Sequence, residues 1–317
     1  MKLYTFITTA TFLSLLLLTF ASTAHAKIGL TVDPSLVKIQ IKPGKAITKA
    51  FTVENNSDTQ KQIVVRLIPF EKADSNGNPI IDIKSNSSWL KYFAISNTNI
   101  KFEEPFTIEP NSKEQIILSL SIPETANIED IYATLLFSTY ENTLPSQSKG
   151  TIVSASIGAN LLVTITSELN PKTILKIDTI KITSPHLKIG RKIFSDSLTT
   201  LTYQLFVSNT GNHVTETKGT TSISKNDIVL SVQKLLPQHV ISKSNRQLLN
   251  SDGTQDFTFK PNTLSFGWHS IKTNIKTEST NSNNSTDIFI FPLKILLGLL
   301  LVLFLLKTIL KFSKEKS

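Results

Sequence analysis

Gln115-Ile116-Ile117-Leu118-Ser119-Leu120-Ser121-Ile122 is the stretch on which the fold class turns. Ile116, Leu118, Leu120 and Ile122 occupy every second position, and Ser119 and Ser121 fall between them. Side chains alternate across a strand, so this spacing sets one apolar row against a core and one polar row in water. Runs of the same kind recur on either side, at Val37–Ile41, Ile47–Glu54, Gln62–Phe70, Trp89–Ile95, Tyr132–Tyr140 and Thr151–Thr164. Turn-forming residues separate them, at Lys42-Pro43-Gly44, Asn55-Asn56-Ser57-Asp58, Asp74-Ser75-Asn76-Gly77-Asn78-Pro79, Pro110-Asn111 and Pro123. About seven strands broken at this spacing predict an immunoglobulin-like antiparallel sandwich over residues 27–169.

The second half repeats the design. Ile174–Ile182, Leu201–Ser208, Val214–Ile223, Ile228–Leu235, Gln255–Lys260 and Trp268–Ile275 read as strands. Phe51-Thr52-Val53-Glu54-Asn55-Asn56-Ser57 and Leu205-Phe206-Val207-Ser208-Asn209-Thr210-Gly211 both run an apolar strand into Asn and small turn residues, one corner used twice. Asn170-Pro171 breaks the chain between the units, so a second sandwich is expected over residues 170–287, close enough to touch the first. Thr277–Thr286 is almost wholly polar. It reads either as a flexible stalk or as the hairpin before a final strand, Asp287–Phe291, which would set this unit directly on a membrane.

The ends are apolar. Met1-Lys2, an apolar run from Phe12 to Phe20 and Ala24-His25-Ala26 match a secretory signal peptide over residues 1–26. Residues 288–310 are apolar except for Lys294, Lys307 and Thr308. As a helix this segment reaches about 34 Å, enough for a hydrocarbon core of about 30 Å. Lys311, Lys314 and Lys316 follow, so the positive-inside rule predicts a cytoplasmic tail at 311–317, with everything before the span outside the cell membrane. The expected class is all-β: two immunoglobulin-like antiparallel sandwiches in tandem plus one C-terminal transmembrane helix.

The formal charge of +9 shrinks when both ends are set aside: 27 basic and 23 acidic residues remain, a net +4 without a basic cluster. Nucleic acid is therefore not an expected partner. The chain has no cysteine, which removes disulfides, thiol nucleophiles and thiolate metal sites. His186, His213, His239 and His269 stand alone, with no second ligand at metal spacing. Asp74-Ser75-Asn76-Gly77-Asn78 resembles a calcium loop faintly but lacks the later acidic ligand, so a hairpin turn is expected. Glu103–Glu104, read as neighbours on one strand, point to opposite faces and cannot flank one bond. No catalytic, cofactor or metal site is expected, and ligand-binding residues stay unassigned. Trp89 and Trp268 read first as residues packed between sheets or across the inter-unit contact, and Tyr92, Tyr132 and Tyr140 as half-buried strand residues. Sandwich edges offer one general binding mode, the addition of a partner's strand.

The order of segments resembles the WxL-interacting proteins of Gram-positive cell surfaces. Ser35–Gly44 is similar to that family's strand and Pro-Gly opening, and Phe51–Asp58 to its next strand and asparagine turn. Asp74-Ser75-Asn76-Gly77 resembles its Asn-Gly hairpin, and Ile122-Pro123 with Ile131–Phe137 its Ile-Pro and following strand. In the second unit Leu235-Leu236-Pro237 and Phe266-Gly267-Trp268 resemble corners of membrane-anchored surface sandwiches. The resemblance implies a membrane-anchored, non-catalytic adhesion or scaffold protein. Its first domain would engage cell-wall peptidoglycan and its second a surface protein. The alternative is a chaperone-like assembly factor that works by β-strand addition, as pilus chaperones do.

Overall fold

A computed structural model describes residues 29–140, 155–277 and 279–315. The expected signal peptide lies outside the described residues, as does the start of the run at Thr151.

The first unit closes two sheets over one core. One sheet has the order β1 (Leu30–Asp33), β3 (Ala46–Asn55), β7 (Ser112–Ser121), β5 (Phe93–Ile95). The other has the order β2 (Leu36–Ile41), β9 (Ser156–Ile165), β8 (Asp130–Thr139), β4 (Lys61–Pro69), β6 (Pro105–Ile108). Ile116, Leu118, Leu120 and Ile122 all point inward, against Phe51, Val53, Ile63, Val65, Leu135 and Phe137. Burying each of these large side chains contributes roughly 1.5–3 kcal/mol. Trp89 belongs to a short 3-10 helix, Ser88–Tyr92, rather than to a strand over Trp89–Ile95. Its ring packs edge-on against Phe93 at 6.1 Å on the margin of this core.

The second unit uses the same plan. β10 (Leu175–Ile182), β13 (Leu201–Asn209), β17 (Ser244–Leu248) and β18 (Phe257–Phe259) form one sheet. The facing sheet runs β11 (Leu187–Ile189), β12 (Lys192–Asp196), β20 (Asn281–Phe291), β19 (Gly267–Lys276), β14 (Thr215–Lys225), β15 (Ile228–Lys234), with β16 (Gln238–Val240) pairing β14. The polar run is no stalk. β20 extends over Asn281–Phe291 and pairs with β19 along its whole length. β10 is an edge strand, and Ile177, next to a register shift, turns its backbone groups away from β13 toward β20. Ser282 Oγ accepts the Ile177 N–H at 3.3 Å, and Asn284 Nδ2 donates to its carbonyl at 3.3 Å. The polar side chains of β20 thus bridge the sheets where an apolar strand would leave buried amides unpaired.

The opening strand of each unit switches sheets. β1 pairs antiparallel with β3, and after the cis Asp33–Pro34 bond β2 pairs parallel with β9. In the second unit β10 pairs antiparallel with β13, and β12 pairs parallel with β20. Both sandwiches are therefore antiparallel apart from one parallel edge each.

The corner quoted twice in the sequence is one hydrogen-bond device built twice. Asn55 and Asn209 are fully buried. The Oδ1 atom accepts an N–H two residues on, from Ser57 at 3.1 Å and from Gly211 at 3.0 Å. The amide donates to the carbonyl four residues on, Thr59 at 2.9 Å and His213 at 2.8 Å. It also reaches a carbonyl on another strand, Ile108 at 3.2 Å and Val240 at 3.0 Å.

The apolar run at residues 288–310 divides. Ile288 and Ile290 fill the second core, so residues 288–291 belong to β20 and the helix α1 starts later, spanning Leu293–Glu315. Leu293–Leu310 is long and apolar enough to cross a membrane and is buried nowhere against the sandwiches.

His269 sits in the second core, 1% exposed, with Nδ1 at 3.0 Å from the Gly267 carbonyl and Nε2 at 3.2 Å from Ser265 Oγ. Burial pulls its pKa below the ordinary imidazole value, against the pull of the Gly267 hydrogen bond. Above about pH 6.5 both folded and unfolded forms are neutral; below it the unfolded chain takes up the proton first, so stability falls with pH. Urea unfolding is expected to show that loss between pH 6.5 and the lowered folded value, and His269→Gln to flatten it.

Candidate functional site

The two sandwiches meet through a small apolar cluster of Phe70, Tyr132, Leu162, Val214 and Ile241. Phe70 and Tyr132 stack at 5.7 Å. Asp130, whose side chain is 1% exposed, lies at the centre of the contact. It faces His213 Nδ1 at 2.9 Å, accepts the Val214 backbone N–H, and accepts the Tyr132 hydroxyl at 2.7 Å. The Tyr132 oxygen in turn accepts the Ser242 N–H at 3.1 Å. Burial, then the adjacent Asp130 charge, pushes the Tyr132 hydroxyl far above its ordinary value, so it remains a donor at all physiological pH.

The Asp74–Asn78 segment is a hairpin turn, as expected. Asp74 Oδ1 accepts the N–H groups of Asn76 and Asn78 at 2.9 and 2.8 Å. Gly77 takes φ 84°, and a Cβ there would lie on the Arg246 guanidinium. The turn reaches the second unit: Gln247 N donates to the Ser75 carbonyl at 2.6 Å, and Gln255 Nε2 to Asn76 Oδ1 at 3.0 Å.

Beside these contacts opens a cleft of about 270 Å³, lined among others by Leu36, Phe70, Gly158, Asn160, Ile241 and Arg246. Arg246 Nη1 donates to the His239 carbonyl, while its Nε has no hydrogen-bond partner among the described residues. Burial lowers the guanidinium's pKa and nearby Asp74 raises it.

An open strand edge borders the same cleft. β8 flanks β9 over Ser156–Ile165, but β2 covers its other side only over Asn160–Ile165. Even-numbered residues of β9 turn their backbone groups toward β2: Asn160 N donates to Ser35 O at 2.8 Å, and Thr166 N to Ile41 O at 3.0 Å. By the same alternation Ser156 and Gly158 direct their N–H and C=O groups outward, where no strand among the described residues pairs with them, although β1 passes nearby.

The remaining residues singled out from sequence do not converge. His186 is exposed and bonds locally to the Ser184 carbonyl, His239 lines the cleft, His213 lies in the inter-unit contact and His269 in the second core. Among the described residues no group of three or more His, Asp or Glu is placed to hold a metal. Glu103 and Glu104 sit in a turn ahead of β6 rather than on a strand, and pair with Arg66 at 2.8 Å and Lys101 at 3.6 Å. Tyr92 is half-buried, while Tyr140 is exposed. Trp268 departs from expectation: it lies 44% exposed on the outer face of the second unit, not between sheets. Sequence reasoning missed Asp130 and Arg246, because the groups that tie each of them to the other unit, His213 and Val214 for Asp130 and Asp74 and Gly77 for Arg246, are distant in the chain.

No protein-family model matches the sequence, and no curated protein is significantly similar to it. Solved structures are matched at low identity and low TM-score. The class 5 fimbriae chaperone CfaA is 10% identical, with 82% of this chain and 99% of that one covered at TM-score 0.38. The CsuC–CsuE chaperone–tip adhesion subunit pre-assembly complex of Acinetobacter baumannii is 12% identical, with 72% and 93% covered at TM-score 0.37. The PapD-like domain 7 of human CEP192 is 11% identical, with 47% and 92% covered at TM-score 0.30. The protein is an all-β tandem of immunoglobulin-like sandwiches ending in one apolar helix.

Proposed function

We propose that this protein is a non-catalytic, membrane-tethered binding module that takes up an extended segment of a surface protein by strand addition. In this reading α1 spans the cell membrane, both sandwiches lie outside and the basic C-terminus is cytoplasmic. The observation that carries the proposal is the stretch Ser156–Ala159 of β9, whose outer side no strand among the described residues pairs, at the mouth of the inter-unit cleft. Backbone groups of Ser156 and Gly158 supply generic affinity there. Leu36, Phe70 and Ile241 offer apolar surface for a partner's side chains, and Arg246 a fixed positive charge. A surface-protein partner is also what the resemblance to the WxL-interacting proteins implies, and an assembly factor that lends this edge to surface subunits is the same chemistry used transiently. Engagement of peptidoglycan by the first sandwich is the competing outcome of the same test.

Ser156→Pro isolates the edge. Proline removes the outward N–H and the exposed Ser156 Oγ–Ser138 Oγ bond of 2.9 Å but no backbone bond between β8 and β9, and a strand edge tolerates it; Ser156→Ala, which loses the side-chain bond alone, is the control. Losing one such bond is expected to weaken partner binding about tenfold. The full chain would be purified from native membranes with whatever co-purifies, and amide hydrogen exchange read at Ser156 and Gly158. Protection of both amides in the complex of the parent chain, and its loss at Gly158 in Ser156→Pro, supports strand addition. Equal capture of partner by both forms, or retention on purified wall independent of this edge, overturns it.

A further inference from the structure

The outward-facing row of β20 changes character along its length. It reads Asn281, Asn283, Ser285 and Asp287, then Phe289 and Phe291, while Ile288 and Ile290 point into the core. Paired β19 shows the same gradient: Lys276, Asn274, Lys272 and Ser270, then Trp268. Register places Phe194, Phe289 and Trp268 at one level on three adjacent strands, with Leu187 opposite Phe194 on the next. The rings touch: Trp268–Phe289 at 5.1 Å, Phe266–Phe289 at 5.3 Å, Phe194–Phe289 at 5.8 Å.

This aromatic level lies at the root of α1. Only Pro292 separates Phe291 from the helix. Ser197 N donates to the Phe291 carbonyl at 3.0 Å, and Ser197 Oγ to Thr263 O at 2.5 Å, so the loops carrying Leu198 and Leu264 flank that root. Asp196 Oδ2 accepts the Lys294 N–H at 2.7 Å, occupying an otherwise unpaired helix-start amide, and Lys294 Nζ meets Thr199 Oγ1 at 3.1 Å. The apolar groups around the root are left in water: Leu264 is 75% exposed, Phe266 62%, Leu187 58% and Leu198 49%. Just beyond the rings lie Arg191 and Lys192, with Lys192 Nζ 5.9 Å from the Trp268 ring.

We propose that this end of the second sandwich seats on the lipid bilayer, with Leu264, Phe266 and Trp268 at the headgroup–acyl boundary and Arg191 and Lys192 at the level of the lipid phosphates. The occupant follows from position: a surface fixed to a membrane-crossing helix by one residue and a cap meets lipid before anything else. Its order, polar then basic then aromatic, matches the order of layers at a membrane interface. The proposal rests on the reading of α1 as a membrane span.

Trp89 and Trp268 are the only tryptophans, so Trp89→Phe leaves a single reporter. The full-length variant would be reconstituted in phosphatidylcholine vesicles whose acyl chains are brominated near the glycerol. Flotation after an alkaline wash reports separately whether α1 is inserted. Quenching of Trp268 relative to unbrominated lipid is expected, and its loss when Leu264→Asp and Phe266→Asp are combined. A Trp268→Phe chain, which reports Trp89 of the first sandwich, is expected to be unquenched. Inserted chain with Trp268 unquenched overturns the seating alone and leaves the patch to a protein partner. Quenching that survives both aspartates likewise overturns it. Chain washed off the vesicles overturns the span and the seating together.

Discussion

Asn209→Ala is expected to lower the unfolding free energy of the second sandwich by about 3 kcal/mol, because alanine leaves buried backbone groups with no replacement partner. Three groups lose a bond at once: the Gly211 N–H and the carbonyls of His213 and Val240. The site is fully buried, so water cannot take their place without opening the corner. Asn209→Asp keeps the acceptor for Gly211 but sets a negative charge against both carbonyls, and is expected to be at least as damaging. Asn55→Ala makes the same cut in the first sandwich. Urea unfolding that reports each unit separately, through Trp89 for the first and Trp268 for the second, checks the result. A loss below about 1 kcal/mol would mean that the corner relaxes and finds other partners.

Asp130→Ala is expected to uncouple the two sandwiches. The carboxylate gathers three donors from both sides of the contact, and hydrogen bonds to a charged group contribute about 1.5–3 kcal/mol each when buried. Removal leaves the Val214 amide and the Tyr132 hydroxyl facing each other without an acceptor. The apolar cluster of five residues is too small to hold the angle alone. Unfolding that is one transition in the parent chain should split into two, and small-angle scattering should report a wider spread of inter-unit distances. The cleft beside β9 loses its wall at the same time, so partner binding should fall even though Asp130 touches no ligand. Retention of a single transition would show that the Ser75–Gln247 and Asn76–Gln255 contacts suffice.

The strands with the longest alternation were legible because period two sustained over seven or more residues leaves little else to fit, as at Ile116–Ile122. The repeated asparagine corner was legible because its bonds are local, two and four residues on. Two short strands were not: β11 and β16 have three residues each, too few to show a period, whereas β18 falls within the run read at Gln255–Lys260. β20 was half hidden, since Ser282 and Asn284 face a bulge in β10 and obey that partner's needs, not a hydrophobic pattern. The candidate site was the least legible part. Strand-edge recognition depends on where β2 stops along β9, which is a matter of register. Asp130 and His213 are 83 residues apart and find each other only in the folded chain.

Asp196 gives the helix no hinge. With one proline between strand and helix, and a carboxylate clamping the first turn to the neighbouring strand, α1 and the second sandwich move as a single lever. With α1 in a bilayer, as proposed, any tilt of the lever arm would be passed on to the second sandwich. In the proposed reading the mouth at β9 would thereby stand at a set height and bearing above the membrane, presenting a bound segment in one orientation.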